Sequence, residues 1–370
     1  MENRGLQTKT ILIPGIIIFL VMAFFVAYKI LPIQLEYRND QTYLTQSLKT
    51  ELPAEPLKEI KYPVKSYLIT TGGFCWLMAQ SSIMSYLEPD IDFNTFVLYG
   101  NPTLFMAGRN NSERYGPALN GLHAFKNLGY TVYRGSTNPS HPPRNVYPDI
   151  EPENLIYFKN KDQEFLMIKK LLTVGIIPIV HIKGSFLPLI GYDDKGIWLG
   201  NPESESIPEE EKPEDFLETV ILDETWVMSY DEFFKNWSGD NQFFWYEKTG
   251  QRKTEAEIYE ENKKNAQEAP QNIETTIGIL KNLEERQNIS WIYTYEFDTP
   301  SAVALYRYFE SKGNQKLAQK YLEIAKFYDT KRESLGPNPP LYANEEFIIQ
   351  LLTEVQPLYK EAANMWPESN

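Results

Sequence analysis

The chain has 370 residues, with 50 acidic side chains against 36 basic ones and a formal charge of −14, and it is 42% hydrophobic and 14% aromatic. That length allows two domains beside a targeting segment, since single domains commonly run about 100–200 residues, while the acidic balance excludes a general nucleic-acid binder because nothing offsets phosphate repulsion. A single cysteine, Cys75, excludes an intrachain disulfide framework and any Cys-rich zinc site; the three histidines, His123, His141 and His181, lack HxxxH spacing, so neither a metal site nor a cofactor is implied.

From Thr10 to Tyr28 no charged residue occurs. The run is close to the ~20 apolar residues that cross a bilayer as a helix. Residues 10–31 therefore read as a single transmembrane anchor behind a short cytoplasmic tail, 1–9. A cleaved signal peptide is the competing reading, but its apolar core usually spans only ~7–15 residues and no small-x-small site closes this run. Arg4 and Lys9 hold the tail inside, so the globular part is expected outside the cytoplasm. Residues 32–60, polar and ending in ELPAEP, read as a stalk.

A first globular unit is expected over 61–250. Its opening strand, IKYPVKSYLIT, leads into TTGGFCWLMAQSSIMSYL, where a Gly-Gly pair precedes Cys75 and the apolar positions Trp76, Leu77, Ala79, Ile83, Met84 and Leu87 follow at helical spacing. Cys75 then stands at the first turn of a buried helix, where free N–H groups and the helix dipole favour a thiolate. That is a common mounting for a nucleophile; a small buried hydrophobe is the other use of a lone cysteine. A loop-rich stretch follows, and ALNGLHAFKNLGY reads as a helix ending at Gly129, with His123 off its apolar stripe and at the surface. TVYRG is a strand. His141, among prolines, is a loop residue.

Residues 162–174 form a helix stopped at Gly175. IIPIVHI, SFLPLIGYDD and IWLGNP, separated by KG pairs, read as three strands of an antiparallel meander. After a charged loop, PESESIPEEEKPED, comes a short helix opened by Ser229, with Phe233, Phe234 and Trp237 inward, and then a closing strand, QFFWYE. The turn between the first two strands of the meander has two possible registers. A three-residue turn, Ile182–Gly184, sets His181 opposite Ser185 on one face, with Cβ atoms about 5 Å apart. A two-residue turn, Lys183–Gly184, pairs Ile182 with Ser185 and sends His181 to the other face.

From about Gln251 to the end, helical periodicity repeats with Gly or Pro at the joints, and 251–370 is an all-α domain. EAEIYEENKKNAQEA and NIETTIGILKNLEERQ read as separate helices. SAVALYRYFESKGNQKLAQKYLEIAKFYD resembles one tetratricopeptide unit, but no second copy follows at ~34 residues, so a plain bundle is an equal reading. The sequons at Asn110, Asn236 and Asn288 decide nothing without the host.

A Cys-headed helix ahead of an antiparallel sheet is the layout of papain-like folds, and residues 62–248 resemble the bacteriocin-processing, double-glycine-leader cysteine peptidases of that superfamily. The matching parts are GGFCWLMAQSSIMSYL, LLTVGIIPIV, SFLPLIGYDDKGIWLGNPES and MSYDEFFKNW. The resemblance implies an α+β papain-like peptidase fold, after one transmembrane helix and before the helical domain. It also implies Cys75 as nucleophile, backbone N–H groups at Gly73 and Phe74 as oxyanion donors, and the orienting position at Asn201, which asparagine can serve in papain. The family's general-base histidine corresponds to Ser185, whose hydroxyl cannot act as a base near neutral pH. No counterpart of the oxyanion glutamine occurs, since no Gln lies between Gln46 and Gln80. His181 is the candidate displaced base.

Three functions follow from these residues. One is a membrane-anchored extracytoplasmic cysteine peptidase or amidohydrolase using Cys75, His181 and Asn201. The second is a catalytically inactive homologue that binds a peptide or protein partner and uses the helical domain for contact. The third is a cysteine acyltransferase working through the same thiol.

Overall fold

The structure, a computed structural model, describes residues 48–69, 75–103, 123–137, 154–200, 215–222, 225–237, 242–282, 299–334 and 345–367. The anchor expected over 10–31 lies outside these residues, as do His141, Asn110 and Asn288; among the described residues no helix is long and apolar enough to cross a membrane.

The architecture is mixed α+β, a multistranded and mostly antiparallel sheet followed by a helical C-terminal region. The strands are β1 (Ile60–Lys61), β2 (Ser66–Ile69), β3 (Tyr130–Ser136), β4 (Leu155–Tyr157), β5 (Ile179–Ile182), β6 (Ser185–Tyr192), β7 (Ile197–Leu199), β8 (Thr219–Leu222), β9 (Trp226–Met228) and β10 (Phe243–Lys248). The main sheet runs β4-β3-β10-β5-β6-β7-β9, with β1 added on β6, while β2 and β8 form a separate ribbon. Among the described residues only β3 and β4 pair in parallel. The expected meander is therefore present as β5-β6-β7, and the closing strand β10 is not an edge but sits between β3 and β5. Its residues Phe243, Phe244 and Trp245 are wholly buried, which a strand enclosed on both faces and both edges requires.

The single strand expected over IKYPVKSYLIT is instead two pieces in two sheets. Pro63 lies between them and has no N–H to give a ladder, so pairing stops there. Next to β1 the chain approaches β6 closely: a Cβ on Gly191 would lie 2.1 Å from the Ile60 carbonyl oxygen, and the β6–β7 register shifts between Leu189 and Gly191. Only glycine permits that contact.

The helices are α1 (Cys75–Leu87), α2 (Phe93–Tyr99), α3 (Lys161–Thr173), α4 (Tyr230–Asn236), α5 (Glu255–Lys281), α6 (Thr299–Ser311), α7 (Gln315–Glu333) and α8 (Glu345–Met365). Helix α3 ends ahead of Gly175, which has φ +86°, and Ser229 caps α4 through its hydroxyl, as expected. Helix α2 falls in the stretch read as loop. Its signals were Asp92, whose carboxylate accepts from the Thr95 N–H at 2.7 Å, and the buried Phe93, Phe96 and Val97 at helical spacing.

Helix α5 runs unbroken through Pro270, where two helices were expected. A proline here removes one helical bond, but Ala266, Ala269, Ile273 and Ile277 on either side are buried in one core with Val355, Tyr359 and Ala362 of α8. Tertiary burial outweighs the local penalty. Thr254 and Glu257 close a full capping box at its start. Helices α6 and α7 form a hairpin through Gly313, at φ +73°, with Asn314 capping α7. The helical region does not stand apart from the sheet region, since α6 and α5 both pack on α2.

Candidate functional site

Helix α1 begins at Cys75 and lies on one face of the main sheet. Trp76 sets that contact: its ring lies 4.5 Å from Phe186 of β6 and 4.6 Å from Phe244 of β10. Further along, Gln80 donates to the Tyr246 hydroxyl at 3.2 Å, and Tyr246 stacks on Phe125 of the short helical segment 123–127. This face of β10 and β6 is thus the one the cysteine helix covers.

The β5–β6 turn is the two-residue form. Lys183 has φ +49° and Gly184 φ +83°, the left-handed pair such a turn needs, and the register pairs Ile182 with Ser185 and His181 with Phe186. The three-residue register that would set His181 opposite Ser185 is not formed. Because successive residues of a strand point to opposite faces, Ser185 and Ile182 look away from α1, while Phe186 and His181 lie on the α1 side. The residue at the family's histidine position therefore does not face the cysteine helix, and an aromatic ring does.

That ring touches both the cysteine helix and His181. Phe186 packs against Trp76 and stacks on the His181 imidazole, with centroids 4.5 Å apart and planes at 20°. His181 is held further by Gln242, whose side-chain Nε2 donates to His181 Nδ1 at 3.3 Å and whose backbone oxygen accepts from the His181 N–H at 3.3 Å. The Gln242 amide is oriented in turn by Arg134 Nε donating to its Oε1 at 3.3 Å. His181 is a packed, hydrogen-bonded sheet residue.

Cys75 is partly exposed. Burial pushes its thiol up, and hydrogen bonds from the backbone amides of Phe186, Trp76 and Cys75 itself offset only part of that rise. The helix N-terminus was expected to favour a thiolate. Here desolvation by burial outweighs the local dipole and the backbone amides. Of the remaining expected site residues, Gly73, Phe74 and Asn201 lie outside the described residues.

His123 is not the surface histidine expected from its position off the apolar stripe. It is half-buried, and Asn101 Nδ2 donates to its Nε2 at 2.8 Å. Asn101, at φ +55°, also donates to Glu261 at 3.3 Å, so this group joins the segment 123–127 to α5. Phe186, Gln242 and Phe244 were not singled out from the sequence, although the alternation of β6 held the signal for Phe186 once the turn length was known. Among the described residues no group of three or more His, Cys, Asp or Glu side chains is placed to hold a metal ion. No known protein-family model matches the chain, and no curated protein matches its sequence.

Proposed function

We propose that this chain is a membrane-tethered, extracytoplasmic relative of the papain-like cysteine peptidases that has lost turnover and binds a peptide or protein partner. The observation that carries this reading is the β5–β6 register, which turns Ser185 away from α1. A thiol–imidazole pair needs its two side chains within hydrogen-bond reach, and the His181 ring is stacked on Phe186 and takes the Gln242 amide at Nδ1. The raised thiol points the same way, since nucleophilic cysteines are held low by a neighbouring cation or base. The Cys-headed helix on an antiparallel sheet supports the papain-like frame, the uncharged run 10–31 supports the anchor, and the helical region supplies a second surface for a partner.

The test is the pH dependence of Cys75 alkylation in the full chain and in His181→Ala. On this reading the rate rises with an inflection above the ordinary thiol value of ~8.5 and is unchanged by the substitution. An inflection below ~7 that the substitution abolishes would restore the peptidase reading. A thiol that captures an acyl group, later removed by an added amine, would favour the acyltransferase.

A further inference from the structure

A cavity of about 300 Å³ that Cys75 does not line lies where α2, α5, α6 and the residue after α8, Trp366, come together. Its volume is at the lower end of the range that small-molecule sites occupy. We infer that it is a binding site for a small, flat, uncharged aromatic molecule of about the size of indole.

The lining decides the chemistry. Leu98, Ile258 and Leu305 supply aliphatic surface, and Tyr99, Tyr259, Tyr308 and Trp366 supply rings. Asn262 also lines it, but its polar atoms are already engaged: the amide donates to the Leu98 and Ile258 carbonyls at 3.2 and 3.0 Å, and its oxygen accepts from Thr103 at 3.2 Å. Trp366 Nε1 donates out of the cavity to the Tyr321 hydroxyl at 2.9 Å. A ligand thus meets ring faces and aliphatic groups beside hydroxyls and paired charged groups.

Charged ligands are disfavoured by the same inventory. Both cations in the lining are neutralised, Arg252 by Asp90 at 2.6 Å and Lys312 by Glu255 at 2.6 Å, so an anion meets no uncompensated positive charge. Two of the four rings already carry a cation. Arg252 already lies over Tyr99 at 4.9 Å, and Lys312 over Tyr308 at 5.5 Å. Asp90 and Glu255 are likewise committed to those partners. Tyr259 and Trp366, 5.3 Å apart at 47°, remain as the aromatic walls. Offset or edge packing against such a pair suits a neutral ring, whereas a charged group entering would be desolvated without a partner.

The experiment is ligand-observed ¹⁹F NMR of 5-fluoroindole titrated against the full chain in detergent, with fluorobenzoate and fluorobenzylammonium as charged comparators. Saturable binding of fluoroindole is expected with a dissociation constant on the order of 1 mM or tighter. The charged rings should bind about ten-fold or more weakly. Ser311→Phe, from an exposed lining position, and Thr95→Phe, from a half-buried one on α2, fill the space and should each abolish saturation, while detergent partitioning stays the same. Thermal melting checks that each variant folds, and either folded variant is sufficient. Absence of saturable binding, equal binding of the charged rings, or binding that survives in a folded, filled variant would overturn the assignment.

Discussion

If the face of the sheet decides which residue can meet Cys75, an imidazole in place of Phe186 should build a thiol–imidazole pair, and one in place of Ser185 should not. Phe186→His places a histidine on the α1 side of the sheet, on a residue whose backbone N–H already reaches the Cys75 sulfur. Ser185→His follows the family correspondence but puts the ring on the opposite face. An unperturbed thiol of ~8.5 is about 3% thiolate at pH 7, and burial of Cys75 sets the starting value lower still. A histidine pair that brought the thiol to ~7 would raise that fraction to about one half, on the order of 15-fold. The lower basicity returns a factor of about 5 through reduced intrinsic nucleophilicity, leaving ~3-fold or more in alkylation rate at pH 7.

The cleaner reading is the inflection, which should move down by ~1.5 units or more in Phe186→His. It should stay in place in Ser185→His. Because Cys75 is the only cysteine, mass-spectrometric alkylation kinetics report this site alone. Phe186→His also removes a ring packed against Trp76 and His181 and should cost about 1–3 kcal/mol, so the melting temperature is measured alongside. An equal shift in both variants, or none in a folded Phe186→His, would refute the assignment of faces.

Trp76→Ala removes the buried contact that seats α1 on Phe186 and Phe244, and denaturant unfolding should show a loss of about 3–5 kcal/mol. The Lys312 partner holds the Glu255 carboxyl below the usual carboxylate range. A depressed carboxylate contributes stability that is present above its unfolded value of ~4.3 and is lost as pH falls through its folded value. The melting temperatures of the wild type and Glu255→Gln should therefore differ most above about pH 5 and converge in acid. The difference should stay within the about 0–1 kcal/mol of exposed pairs, and a gap that widens in acid would reverse the sign of the argument.

Periodicity and punctuation by themselves determined the mixed class of the chain, the helix headed by Cys75, the β5-β6-β7 meander, the Ser229 cap, the stop at Gly175 and the helical C-terminal region, because each rests on contacts within a few residues. They also left KG between β5 and β6 with two registers, since both turns satisfy the same local pattern. Only the assembled sheet chose between them, and a shift of one residue reversed which side chain meets the cysteine helix. The same holds for β10, whose place between β3 and β5 is a long-range pairing, and for α5, whose passage through Pro270 depends on its packing with α8. Cys75 shows the division most clearly. Its helix position was legible from Gly-Gly and the apolar spacing, but its acidity belongs to what surrounds the sulfur. That is decided by tertiary burial, which raises the thiol against backbone amides that include the one on Phe186, more than a hundred residues away.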